Sequence, residues 1–187
     1  ADDTGNPTAN YRFRTVESGN LDVYGTVSQP TVRDLTYDGT AQSGVASSEH
    51  CLLSGQTTGT SVGTYTCWAQ PADYYIWSDK ALEDSGSQEK RGPYTWQIKA
   101  RSLTDAVVTG VTSRTFDGTA QTQSPVVRVG GRALKAGTDF SLSYADNVYP
   151  GTARMTVRGT GNYAGDKVVE FSIAPARLTA TYAGGTI

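Results

Sequence analysis

The six residues "YDGTAQ" at Tyr37–Gln42 recur as "FDGTAQ" at Phe116–Gln121, 79 positions later, with Tyr exchanged for Phe and nothing else altered. An aspartate beside a glycine can be a catalytic acid, a calcium ligand or a tight turn. The turn reading fits best, because Asp-Gly is a strong turn former and Gly39 or Gly118 is free to adopt positive φ. Losing the hydroxyl while keeping the ring points to packing by Tyr37 and Phe116, not to a shared catalytic phenol. The likeness extends beyond the phrase. "GTYTCWAQPADYY" from Gly63 corresponds to "GTARMTVRGTGNY" from Gly151, and "YTWQIKARSLT" ending at Thr104 corresponds to "VEFSIAPARLT" ending at Thr179. Trp96/Phe171, Ile98/Ile173 and Leu103/Leu178 fall in register. Self-similarity at one spacing predicts two related modules.

Composition narrows the class. Gly 21 and Tyr 11 stand against one Met and one His, which describes short strands and many turns, so the chain is expected to be all-β. "RMTVRG" alternates Met155 and Val157 with Thr156 and Arg158. "VVEFSI" does the same with Val169, Phe171 and Ile173, and Trp96 and Ile98 take the inward places of their strand. Pro71, Pro93, Pro150 and Pro175 fall at strand ends or turns. A net charge of −2, with no basic cluster, argues against nucleic acid as a partner. No stretch approaches the roughly 18 apolar residues of a membrane span. No charged-then-apolar leader opens the chain, so any secretion signal is expected to have been removed or to lie outside these residues.

The expected boundaries are residues 1–20 as the tail of a preceding module or an N-terminal strand, 21–103 as module 1 and 104–180 as module 2. Residues 181–187 would open a linker to a following module. Module 1 carries an extra polar stretch, Lys80–Gly92, which reads as a surface loop.

Cys51 and Cys67 flank a Gly- and Thr-rich segment whose midpoint is Gly59. A symmetric hairpin there would oppose the two cysteines within disulfide range. A Cys51–Cys67 bond is therefore expected, closing a loop of about 15 residues worth about 3 kcal/mol and implying an oxidising, extracellular setting. The alternative is two free buried thiols.

Chemistry finds little to work with. His50 is the one histidine, and beside Cys51 it would point to the opposite strand face, so no Ser–His–Asp or Cys–His device assembles. Two cysteines and one histidine do not close a four-ligand zinc site. Asp38, Asp117, Asp139 and Asp146 are scattered as turn formers, not gathered as calcium ligands. No enzyme activity, metal or cofactor is expected. A Lys–Asn isopeptide bond would draw on Lys135, Lys167, Asn147 and Asn162, but nothing in the sequence places such a pair. The aromatic residues of module 1 are the best binding candidates. Trp77 and Trp96 are read as core, whereas Trp68, Tyr74 and Tyr75 are candidate ligand-binding residues for a host glycan or extracellular protein.

"LKAGTDFSLSYADNVYPGTARMTVRGTGNYAGDKVVEFSI" at Leu134–Ile173 resembles the bacterial immunoglobulin-like repeats of secreted and cell-wall surface proteins. Module 1, with "YDGTAQ", "GTYTCWAQPADYYIWSD" and "YTWQI", resembles a sister type, the likeness covering Tyr37 to Thr179 in all. The resemblance implies two tandem immunoglobulin-like β-sandwich domains of an extracellular, cell-surface protein. It further implies a non-catalytic stalk or adhesion repeat with neighbouring repeats as partners, and no membrane insertion. The Lys80–Gly92 stretch and the cysteine pair depart from the pattern.

Overall fold

The computed structural model describes residues 11–15, 21–81 and 84–177. The expected linker at 181–187, residues 1–10 and 16–20 of the expected tail, and residues 82–83 of the polar stretch lie outside these. The chain divides into two compact units, Ala1–Lys99 and Ala100–Ile187. Among the described residues all regular structure is β.

Unit 1 holds β1 (Tyr11–Thr15), β2 (Leu21–Val27), β3 (Thr31–Val32), β4 (Leu35–Thr36), β5 (Val45–Ala46), β6 (Cys51–Gly55), β7 (Gly63–Pro71), β8 (Tyr75–Trp77) and β9 (Arg91–Lys99). They form a four-stranded sheet β4-β9-β7-β6, a pair β3-β5 and a small sheet β1-β2-β8. The order is unusual for a meander because β4, an early strand, lies parallel to β9, the last.

Unit 2 holds β10 (Arg101–Ser102), β11 (Val107–Thr109), β12 (Arg114–Thr115), β13 (Val126–Val129), β14 (Arg132–Ala133), β15 (Phe140–Ala145), β16 (Gly151–Gly159), β17 (Tyr163–Ala164) and β18 (Asp166–Ala174). Its four-stranded sheet, β12-β18-β16-β15, repeats the order of unit 1, again with a parallel outer pair. Arg101 and Ser102 pair with Tyr163 and Ala164, so unit 2 begins ahead of the expected Thr104. Leu103 is fully buried just after that pairing.

Register makes the repeat explicit. Gly63 faces Ile98 and Gly151 faces Ile173; Tyr65 faces Trp96 and Ala153 faces Phe171. The spacing between equivalent residues falls from 88 at Gly63/Gly151 to 75 at Ile98/Ile173, a difference of thirteen, the length of Lys80–Gly92. Each inner sheet face is the core. Trp96, Ile98, Cys67 and Ala69 line it in unit 1, and Phe171, Ile173, Met155 and Val157 in unit 2. Both indoles expected to be internal, Trp77 and Trp96, are 0% exposed. Each finds a carbonyl for its ring N–H, on Glu89 at 2.8 Å and Gln56 at 3.1 Å, as a buried indole requires.

The repeated phrase sits where the outer strand leaves the sheet. The Tyr37 amide donates to the Lys99 carbonyl at 2.9 Å, and the Phe116 amide to that of Ala174 at 2.8 Å. The aspartate then closes a turn. Asp38 Oδ1 accepts from the amide and hydroxyl of Thr40, and Asp117 Oδ1 from those of Thr119, all at 2.7–2.8 Å. Gly39 and Gly118 stand at φ 88° and 85°. The final glutamine ties down the loop before the long strand: Gln42 exchanges backbone bonds with Gly59, and Gln121 bonds Asn147, its counterpart 88 residues on. The two rings differ in burial. Tyr37 is buried, while Phe116 is half-buried and stacks on Tyr149 with ring centroids 6.2 Å apart.

A side chain at Gly39 would be forced into the left-handed region, at a cost of about 1–2 kcal/mol. All three tryptophans lie in unit 1. Urea denaturation followed by indole fluorescence is therefore expected to show that loss for Gly39→Ala and no shift for Gly118→Ala. An unshifted Gly39→Ala transition would remove the turn from the account of stability.

Candidate functional site

The cysteine hairpin departs from expectation. β6 and β7 are antiparallel with Cys51 opposite Pro71 and Cys67 opposite Gly55, so the hairpin is centred on Ser61, two residues past Gly59. Cys51 and Cys67 are thereby four strand positions out of alignment, about 13 Å along the strand, beyond the reach of a disulfide. Both thiols are free and buried. The physical reason lies in the core. By register, Cys51 takes the place of Phe140 in unit 2, and Cys67 that of Met155, so each acts as a small apolar filler. Cys51 packs with Val27, Ala69 and Trp77. Burial pushes both thiols up from their ordinary pKa.

The candidate aromatics are placed in three different settings. Trp68 is half-buried on the face of β7 opposite Cys67 and Ala69, as alternation requires. It lies at an irregularity: Cys67 faces Tyr94 but Ala69 faces Arg91, so β9 has an extra residue there. A Cβ on Gly92 of β9 would meet the pyrrole end of the indole at 2.8 Å, and one on Gly55 of β6 the benzene end at 3.0 Å. These glycines, at φ 134° and 87°, leave the space that the indole fills between the flanking strands. Over the ring stands the Lys90 ammonium, 5.3 Å from its centroid. Tyr74, at φ 64°, is 72% exposed, with the Tyr24 ring 6.3 Å away. Tyr75 is half-buried against the Cys51 cluster, lies over Gly25 and stacks on His50 at 4.0 Å. Trp68 is thus on the outer sheet face and Tyr75 on the core side, and the three do not share one surface.

The polar stretch packs back onto unit 1. The Trp77 amide donates to Ser87, and the Gln88 side chain donates to the Tyr75 carbonyl, so both cover the free edge of β8. The Arg91 guanidinium lies 4.8 Å over the Trp77 ring and 2.8 Å from Asp79. For Asp79, burial works against ionisation, but the Arg91 hydrogen bond and charge outweigh it and hold the carboxyl below its usual range.

Unit 2 presents a different surface. Its outward residues form ion pairs: Arg154 with Glu170 at 3.2 Å and Arg158 with Asp166 at 2.9 Å. The Arg158 hydrogen bond lowers the Asp166 pKa. A shallow groove of about 370 Å³ follows 146–152, beside Tyr149, which is 74% exposed and was not singled out from sequence. Of the isopeptide candidates, Lys167 and Asn147 use their side chains and Asn162 and Lys135 their backbone in hydrogen bonds to other residues. Lys167 Nζ donates to Thr104 and Asn147 Nδ2 to Gln121, while the Asn162 carbonyl accepts from Arg101 and the Lys135 amide donates to Asp139. Among the described residues no group of three or more His, Cys, Asp or Glu converges, and no helix is long and apolar enough to cross a membrane. Lys90 was read from sequence only as part of the Lys80–Gly92 stretch; the structure places its ammonium over Trp68.

Comparison of the chain with protein-family profiles, curated proteins and solved structures finds no match.

Two outcomes test the thiol assignment. A maleimide reagent should leave the native chain unlabelled and add two groups after denaturation without reductant; a denatured chain that takes up none would restore the disulfide. The unfolded chain sheds its thiol protons from about pH 8.5, before the folded one. Stability of unit 1 is then complete below that pH and falls as pH rises through it. Denaturation midpoints between pH 7.5 and 9.5 should decline more steeply than in a Cys51→Ala/Cys67→Ala chain.

Proposed function

We propose that the chain is a pair of tandem immunoglobulin-like β-sandwich modules from a secreted bacterial surface protein, acting as a stalk or spacer that presents a binding region. The observation that carries this reading is the parallel pairing of an early strand with the last strand in both four-stranded sheets, Leu35 with Ile98 and Arg114 with Ile173. That order, with the last strand also antiparallel to a long neighbour and the β3-β5 or β11-β13-β14 strands outside the sheet, is the arrangement expected of such sandwiches.

The pairing suits a load-bearing element. Pulling on the two ends of a unit draws the start of β4 away from the end of β9. Because the strands are parallel, the load falls along them and all the bonds between them must shear together. The same holds for β12 and β18. One residue, Ala100, separates β9 from β10, so successive modules need no long linker. The extracellular location, the wall attachment and the neighbouring repeats are supported by the motif resemblance; with the thiols free, the cysteines lend no support to them. The module chemistry supports a non-catalytic role, since the recurring phrase is consumed by turn, clamp and packing.

Single-molecule extension of the whole chain is the test. Two discrete unfolding steps are expected, each releasing about 3.3–3.6 Å per unfolded residue. Phe116→Pro, which removes the amide bonded to Ala174, should lower the force of one step only. Smooth extension without steps would refute the stalk reading.

A further inference from the structure

The equivalent outer faces of the two sheets differ in a way that a stalk does not require. In unit 2 the face is crossed by Arg154–Glu170 and Arg158–Asp166 pairs. In unit 1 the outward side chains around Trp68 are Leu52, Ser54, Thr66, Gln70, Thr95 and Gln97, none of them charged. By register Trp68 replaces Thr156, and Gln70 replaces Arg158. An indole thus stands among uncharged side chains, mostly hydroxyls and amides with the exposed Leu52. Its position is built: the glycines at 55 and 92 admit it, and larger residues at either would strike the ring.

We infer that Trp68 is the platform of a glycan-binding site, taking a neutral sugar whose ring substituents are mostly equatorial. Such a pyranose presents a flat apolar C–H face that can lie on an indole, while its hydroxyls turn outward to hydrogen-bonding groups. The groups are at the right places. Ser54 is directly opposite Trp68 across the β6–β7 pair, and Thr66 and Gln70 are two residues to either side on the same face of β7, about 6.5 Å away. Lys90, which is exposed, stands over the ring where the sugar would stack. Its long stem lets the ammonium swing aside, so it acts as a cap that the sugar displaces. The other charge on the face, Lys99 at the far end of β9, is neutralised by Asp34 at 2.9 Å, so Lys90 is the one charge beside Trp68. That favours a neutral sugar over an acidic one, and the flatness of a single indole favours a chain of sugars along the sheet over a buried monosaccharide. The inference goes beyond the stalk reading and does not rest on it, because extension steps and sugar binding succeed or fail separately.

The experiment is a fluorescence titration of the full chain with cellohexaose and chitohexaose, with an oligogalacturonate of equal length as the acidic comparison. Trp77 and Trp96 are sealed from solvent, so a saturable change in indole emission reports Trp68. Saturation by a neutral hexamer with a dissociation constant on the order of 1 mM is expected, with the acidic hexamer at least tenfold weaker. Trp68→Ala should abolish the binding. Trp68→Phe keeps an apolar ring in the same space; isothermal titration should find its affinity reduced several-fold, with an unchanged circular dichroism spectrum. Lys90→Ala, in the polar stretch, should bind two- to fivefold tighter, as removal of a weak cation over the ring predicts. No saturable binding by any neutral hexamer, or equal binding by a folded Trp68→Ala chain, overturns the proposal. Preference for the acidic hexamer that is lost in Lys90→Ala also overturns it, since the cation and not the indole would then be the recognising group.

Discussion

Each unit depends on holding one short strand to the far edge of its sheet. β4 and β12 have two residues each, too few to hold by ladder bonds alone. The next six residues of the chain supply the rest. The amide of Tyr37 or Phe116 extends the pairing by one more bond to the last strand, and the aspartate then turns the chain sharply away. The glutamine four residues beyond the aspartate fastens the chain to the loop that introduces a long strand, β7 or β16. A turn, an added ladder bond and a loop clamp are thus packed into one short phrase. Its repetition comes from the repeated topology, since any sheet with this strand order meets the same problem at the same point.

Much of this was legible in the sequence, and the limits have physical causes. Period-two alternation in "RMTVRG" and "YTWQI" identified Met155, Val157, Trp96 and Ile98 as inward residues because a one-residue slip would expose all of them. Asp38 and Asp117 were readable as turn formers because the side-chain bond to the residue two places on is local. The cysteine register was not readable. Symmetry about Gly59 is one of several even-numbered registers that keep Cys51 and Cys67 on the inner face, and the alternation pattern cannot choose among them. The observed register is held from outside the hairpin by Gln42 bonded to Gly59, and within it by Thr66 bonded to Gln56.

The candidate surface shows the same division. That Trp68 would face away from Cys67 followed from alternation, but its surroundings did not. Gly55 and Gly92 come from two other strands, and Lys90 arrives through the polar stretch. Tyr75 was grouped with Trp68 because the two are close in sequence, yet a turn between β7 and β8 sends it back to the core side against His50. Phe116 and Tyr37 diverge in burial for a comparable reason: Tyr149, the ring that receives Phe116, corresponds by register to Ser61 in unit 1.

Between β8 and β9 unit 1 spends thirteen residues where unit 2 has one, Gly165, at φ 86°, joining β17 to β18. The strands on either side keep their partners in both cases, so this junction is indifferent to the length of chain inserted there. It is a natural port for grafting. A peptide spliced at Gly165 would emerge from unit 2 without altering the sheet beneath it, and a series of such modules could carry a different sequence at each port along one fibre.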